Sequence, residues 1–230
     1  MKVIEPFFEI LTPLDRESIC KQVELIARTC YKSEDKITDE SAPRMVKALV
    51  KRQHTAMLEH VHITVKFFCD RGVSHEVVRH RLASYAQEST RYCNYAGDKF
   101  DGQITYIDLM GGMQNHPSMK NLDAQTVYDI YQEWLNACMD AERHYNKMIQ
   151  LGAPPEIARS VLNHSTKTEL VITMNLREWG HFFNLRVLGT TGAPHPQMKE
   201  CALPVLAEFS KALPEVFGQQ YEQILFADGK

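Results

Sequence analysis

Residues 60–67 read HVHITVKF. Val61, Ile63, Val65 and Phe67 alternate with His60, His62, Thr64 and Lys66, the two-residue period of a strand buried on one face. Against it stands the stretch 122–150. There Val127, Ile130, Tyr131, Trp134, Cys138, Ala141, Tyr145 and Met148 recur at three- and four-residue steps, one apolar stripe on a helix. Working outward, the chain opens on a strand, followed by helices at 13–31, with Pro13 near its start, and at 41–52. A helix is expected at 73–82. Gly97, Gly102, Gly111, Gly112 and Pro117 mark turns around a short strand at Ile104–Leu109. Gly152 caps the long helix, and Pro154-Pro155 open the next one through Arg159 and Leu162. A strand at 168–175 and helices at 177–188 and 197–213 complete the series. Strands and helices mingle without a regular β-α-β alternation, so the predicted class is α+β, mixed helices with a mainly antiparallel sheet. No repeat or linker divides residues 1–230, which read as a single domain, and no GxGxxG follows a strand, against a Rossmann fold.

The 230 residues are 44% hydrophobic and 24% charged, with a formal net charge of −3, a composition able to bury a full core. That balance argues against nonspecific nucleic-acid binding, which draws on extended positive surface. Cys20, Cys30, Cys69, Cys93, Cys138 and Cys201 form no CxxC pair and read as reduced thiols. The first fifteen residues, MKVIEPFFEILTPLD, carry Glu5 and Glu9 inside their apolar run and make a poor signal peptide. No stretch reaches the length of about twenty apolar residues that a membrane span requires. The expected setting is the cytoplasm, with no membrane partner.

Chemistry concentrates at 79–92, RHRLASYAQESTRY. Guanidinium groups clamp phosphate through paired hydrogen bonds, so arginines clustered in an acidic chain suggest a discrete anion site; a solvated helix face is the plain alternative. Consecutive helical residues point about 100° apart, so Arg79, His80 and Arg81 must sit at an irregular helix end or serve different ligands. Gln87, Ser89 and Arg91, two apart, would aim together from an extended backbone, a cradle for phosphate, sugar and base. Ser89 as a nucleophile lacks both a partner base and a GxSxG setting. His54, His60, His62, His75 and His80 lie close in sequence, but no HExxH or completing carboxylate is evident, so no metal is assigned. Further on, 174–186 reads MNLREWGHFFNLR. On a regular helix Arg186 would point opposite Arg177, which suggests two pockets, or one pocket and a neighbouring subunit.

RHR, seven residues, Ser and then RY resembles the signature of the flavin-dependent thymidylate synthases. QHTAMLEH at 53–60, ARTCY at 27–31, EIAR at 156–159, the Asn175–Arg186 stretch and His195 resemble further segments of that family. The resemblance implies reductive methylation of dUMP to dTMP. The carbon comes from 5,10-methylenetetrahydrofolate, hydride from reduced FAD and reducing power from NADPH, and tetrahydrofolate is released. It also implies a homotetramer with active sites shared between subunits. Carried over by position, Arg79, Gln87, Ser89, Arg91, Arg159 and Arg186 would bind dUMP. Ser89, Arg91 and Arg186 would assist the chemistry, Ser89 as a hydrogen-bonding activator and the arginines by stabilising charge on uracil. His54, Thr55, Glu59, Arg79, His80, Arg81, Asn175, Arg177, His181 and His195 would hold FAD. The chain departs from the common pattern at Ala86-Gln87, where Asn-Glu is frequent, and at Glu76, Cys30 and the stretch from Leu188 to Pro194. The rival readings are a non-catalytic nucleotide-binding protein and a metal-dependent nucleotide hydrolase.

Overall fold

The computed structural model describes residues 1–228. In chain order its elements are β1 (Lys2–Ile4), β2 (Phe7–Ile10), α1 (Arg16–Tyr31), α2 (Ser41–Lys51), β3 (His62–Asp70), α3 (Arg71–Val77), β4 (Ala83–Gln87) and β5 (Thr105–Ile107). They continue with α4 (Met110–Asn115), α5 (Ala124–Gln150), α6 (Pro155–Ala158), β6 (Lys167–Asn175), α7 (Leu176–Phe183), α8 (Pro196–Ala212) and α9 (Pro214–Asp228). A four-stranded sheet has the order β2-β3-β6-β4, and β1 pairs in parallel with β5. Leu11 N–H donates to Thr64 O and Phe7 stacks on Phe68, so β2 and β3 are antiparallel. Thr64 meets Thr173 and Arg71 meets Thr166, so β3 and β6 are antiparallel as well. The α+β class with a mainly antiparallel sheet follows.

By its contacts the chain divides into two units. The first comprises Met1–Phe8, Lys66–Arg79 and Tyr85–Val171; the second comprises Glu9–Val65, His80–Ser84 and the chain from Ile172 onward. The first unit closes its core with Tyr95, Ile104, Tyr106, Cys138, Tyr145 and Ala158. In the second, Trp179, Phe182, Phe183, Phe209 and Phe217 form a fully buried aromatic cluster with ring centroids 5.2–5.7 Å apart. Most of these pairs meet edge to face, while Trp179 stacks on Phe183, and both arrangements add to the free energy of area burial.

The alternation at 61–67 is realised: Val61, Ile63, Val65 and Phe67 are buried while His62 is exposed and Thr64 and Lys66 are intermediate. The strand begins at His62, because Thr55–His60 wind into a 3₁₀ turn, and continues to Asp70. Asp15 accepts from the N–H groups of Glu17 and Ser18, so the first helix starts at Arg16, after Pro13. In α5 only Cys138, Ala141 and Tyr145 of the predicted stripe are fully buried, and Ile130 is 38% exposed. Gly152, at φ +96°, closes that helix as its cap, with Gly152 N–H on Ile149 O and Ala153 N–H on Met148 O. Pro155 opens only one α-turn before Arg159–Val161 tighten into a 3₁₀ turn.

Two helices end earlier than their sequences suggest. The predicted 73–82 helix stops at Val77: Val73 and Val77 are buried, but Leu82 is 73% exposed, so no apolar stripe sustains it further. The chain turns through Val78 and Arg79 and enters β4. The predicted 177–188 helix ends at Phe183 and passes into a π-turn over Asn184–Leu188, where the 100° spacing of an α-helix no longer holds.

Candidate active site

In the first unit the donors gather around the end of β4. Ser74 Oγ–H donates to Arg71 O at 2.9 Å, so the same oxygen must accept from Gln87 Nε2 at 3.0 Å. Gln87 Nε2 also donates its second hydrogen to Thr168 Oγ1, at an N···O distance of 3.2 Å. Ser74 and Thr168 are both fully buried, so the carboxamide is pinned by its nitrogen. A glutamine so held offers an acceptor where a carboxylate would also offer one. Glu88 points to the other side: its carboxylate takes Tyr95 O–H and Lys167 Nζ, each at 2.9 Å. Lys167 also binds Glu169, which pairs with Lys66. Burial lowers the affinity of the Lys167 amine for its proton, yet Glu88 and Glu169 reverse this and hold its pKa above the ordinary value. Burial, with Glu88 beside it, raises the Tyr95 phenol pKa well beyond the usual range. Lys66, Gln87, Glu88, Cys93, Lys99 and Glu169 border a cleft of about 390 Å³.

The extended backbone expected through Arg91 ends at Gln87. Ser89 Oγ accepts from Arg91 N–H at 3.3 Å, and Ser89 O from Tyr92 and Cys93 N–H, so 89–93 is a turn built on the serine. Gln87, Ser89 and Arg91 therefore do not line one edge. Arg91 pairs loosely with Glu156 at 3.7 Å, both side chains half exposed, and stacks near Tyr92. Arg159 donates from Nη1 to the buried Thr90 Oγ1 at 3.2 Å, which brings it to the same turn. Arg79 is exposed where the helix has ended, as an irregular helix end requires.

In the second unit His80 is the hub. The residue is 5% exposed, and its ring packs edge-on against Phe182 and His181, with centroids 5.0 and 5.9 Å away. Arg186 Nε donates to His80 Nε2 at 3.0 Å, and His80 Nδ1 faces Glu178 Oε1 at 3.5 Å. Burial, with the charges of Arg186 and His181, lowers the imidazole pKa to about 4. Burial likewise raises that of the Glu178 carboxyl, partly offset by His181 and Arg177. The expected opposition of polar faces on one helix is thus corrected. The π-turn swings Arg186 onto the same histidine that Glu178 and His181 flank.

Asn175 caps α7 by accepting Glu178 N–H at 2.8 Å. Arg177 pairs with Glu59. Glu59, Asn175, Arg177, Glu178 and His181 border a cleft of about 350 Å³ together with Leu82. A neighbouring cleft of about 410 Å³ has Thr55, Arg177 and His181 in its walls, and Gln220 beside them, fixed by Gly180 O and Asn184 Oδ1. His54 precedes the 3₁₀ turn, exposed; Arg81 is exposed immediately after His80; His195 is exposed at the start of α8.

His80, Glu178 and His181 also offer ligand atoms within 4.8 Å of one another. His80 Nε2, however, is taken by Arg186, whose fixed positive charge would repel a cation there. The array is better suited to orienting an arginine than to holding a metal. Sequence reasoning missed Glu178, Ser74, Thr168 and Thr90. Asn175-x-x-Glu178 has the spacing of a capping box, which would send that glutamate to the backbone instead of to His80.

Fold and donor sets together define an α+β protein equipped with arginines, amides and imidazoles for anionic, hydrogen-bonding ligands such as nucleotides. Residues 15–215 match the family described as thymidylate synthase complementing protein, and the chain belongs to that family, the flavin-dependent thymidylate synthases. It is 32% identical over 171 residues to the flavin-dependent thymidylate synthase of Geobacter sulfurreducens, covering 71% of this chain and 67% of that one. To the enzyme of the same name from Corynebacterium efficiens it is 28% identical over 214 residues, 90% of this chain and 81% of the relative. Among solved structures, the UMP/dUMP methylase PolB from Streptomyces cacaoi, bound with 5-Br dUMP, superposes with a TM-score of 0.74 at 21% identity. That match covers 95% of this chain and 96% of PolB and establishes likeness of fold.

Proposed function

We propose that this protein is a flavin-dependent thymidylate synthase that methylates dUMP reductively to dTMP. 5,10-methylenetetrahydrofolate is the carbon donor, NADPH the reductant and FAD the cofactor. The observation that carries the reading is the RHR-x₇-S-x-R segment at 79–91 within a chain that matches the family over 15–215. FAD supplies the hydride chemistry when bound, and the donor set fits such a group: an amide, a guanidinium and an imidazole, from Asn175, Arg177 and His181, border one cleft. In this reading those residues, with His54, Thr55, Glu59, Arg79, His80, Arg81 and His195, hold the dinucleotide.

Arg79, Gln87, Ser89, Arg91, Arg159 and Arg186 hold dUMP. Arg159 and Arg91 suit its phosphate, since each can present a planar pair of N–H donors. The carbonyl oxygen of Gln87, whose amide nitrogen is already engaged, suits an N–H donor on the base. Ser89 positions through its hydroxyl. Arg91 and Arg186 stabilise negative charge developing on the ring, a role preorganised by the hydrogen bond that aims Arg186. We take residues 1–230 as one functional domain in a cytoplasmic homotetramer whose subunits share their active sites. Among the described residues no helix is long and apolar enough to cross a membrane.

The test is dTMP formation from dUMP, methylenetetrahydrofolate and NADPH at low oxygen, with and without FAD. Flavin-dependent product is expected. No product from folded, FAD-loaded protein would overturn the enzyme reading and leave a nucleotide-binding one.

A further inference from the structure

We propose that Glu178 is a positioning residue that holds His80 in its Nδ1–H tautomer and thereby aims the guanidinium of Arg186. The carboxylate that does so belongs to the wall of the cleft it shares with Asn175, Arg177 and His181, so one side chain ties that cleft to the arginine. Its consequence for turnover rests on the reading of Arg186 as a substrate-binding arginine; the tautomer itself does not.

Guanidinium Nε–H can only donate, and it lies 3.0 Å from His80 Nε2. That nitrogen must therefore present its lone pair. The imidazole side chain is 3% exposed and lies beside the Arg186 charge, conditions that favour the neutral ring. A neutral ring with a bare Nε2 carries its one proton on Nδ1, which faces Glu178 Oε1 at 3.5 Å. The opposite tautomer would set N–H against N–H at Arg186 and a lone pair against the carboxylate at Glu178. Both contacts would turn repulsive. Glu178 is held for this task, since its own N–H is bonded to Asn175 Oδ1 at the helix start and its side chain is 9% exposed.

Selectively ¹⁵N-histidine-labelled, FAD-loaded protein distinguishes the two ring nitrogens by NMR, with His80→Gln identifying the signal. Wild type should show a protonated Nδ1. Glu178→Gln, whose amide oxygen still accepts, should keep that signature and a kcat/KM for dUMP within about twofold of wild type. Glu178→Leu, which cannot accept, should lose the single tautomer and about tenfold in kcat/KM, as expected when a substrate-orienting group is misaimed, while flavin absorbance stays at full occupancy. Glu178→Ala replaces the leucine variant should that one fail to fold.

A protonated Nε2 in the wild type overturns the proposal. So does an unchanged His80 spectrum in Glu178→Leu, or flavin loss parallel to the loss of turnover, which would make Glu178 a cofactor ligand. A wild type with the Nδ1–H signature but no dTMP formation sinks the proposed activity and supports the tautomer assignment.

Discussion

Replacing His80 by glutamine should flatten the acid limb of this protein's stability curve. In the folded protein the imidazole pKa lies near 4, chiefly through burial and also through Arg186 and His181, against 6.5 for the unperturbed group. Protonation thus begins in the unfolded chain near pH 6.5 and in the folded one only near pH 4. Between these values the unfolded state binds more protons, so stability conferred by the neutral ring is intact above about pH 6.5 and lost as pH falls toward about 4. Proton linkage with these two pKa values puts the loss between about pH 7.5 and pH 5 at about 2 kcal/mol. Glutamine keeps a hydrogen-bonding side chain in place and has nothing to titrate. Urea unfolding of wild type and His80→Gln at both pH values, at one protein concentration, isolates the contribution because the remaining titrating groups are shared. The wild type should lose about 2 kcal/mol more than the variant over that interval. Equal losses would refute the claim that His80 is buried neutral against Arg186.

Arg186→Ala should weaken dUMP turnover by at least about tenfold while FAD remains bound, read by kcat/KM and by flavin absorbance; equal loss of both would place the arginine on the cofactor instead. Lys167→Met leaves Glu88 and Glu169 without the amine that joins them, and should cost about 2 kcal/mol in denaturant unfolding, below the cost of breaking a fully dry pair because the lysine is 14% exposed. Phe209→Ala opens a hole between Trp179, Phe183 and Phe217 and should cost about 3–5 kcal/mol, seen as a lowered urea midpoint at unchanged slope.

Local pattern carried far in this chain. The alternation at 61–67, the long amphipathic run closed by Gly152 and the Pro154-Pro155 pair that opens α6 are all signals local to a few residues, and the elements they announce are present. The family was readable too, because RHR-x₇-S-x-R is a contiguous string in which the spacing itself is the signal. Boundaries were less legible. The helix thought to run through Leu82 stops at Val77, since a leucine left 73% exposed does nothing to extend it. The cradle of Gln87, Ser89 and Arg91 breaks because a hydroxyl bonding to an N–H two residues on bends the chain, a competition that period-two counting does not weigh.

The α+β class and the expectation of an arginine-rich anion site come from residue types and their spacing along the chain. The geometry was decided only in three dimensions. Arg186 and His80 are separated by 106 positions, and nothing local to either one names the other as its partner. Glu178 looks like a helix-capping glutamate until folding sets His80 beside it, and Gln87 looks like a lost carboxylate until Ser74 and Thr168 take its amide hydrogens. Periodicity records which face of a segment is buried. Which donor meets which acceptor depends on how distant segments pack, because every buried polar group must find a partner and the partner comes from wherever the fold brings one.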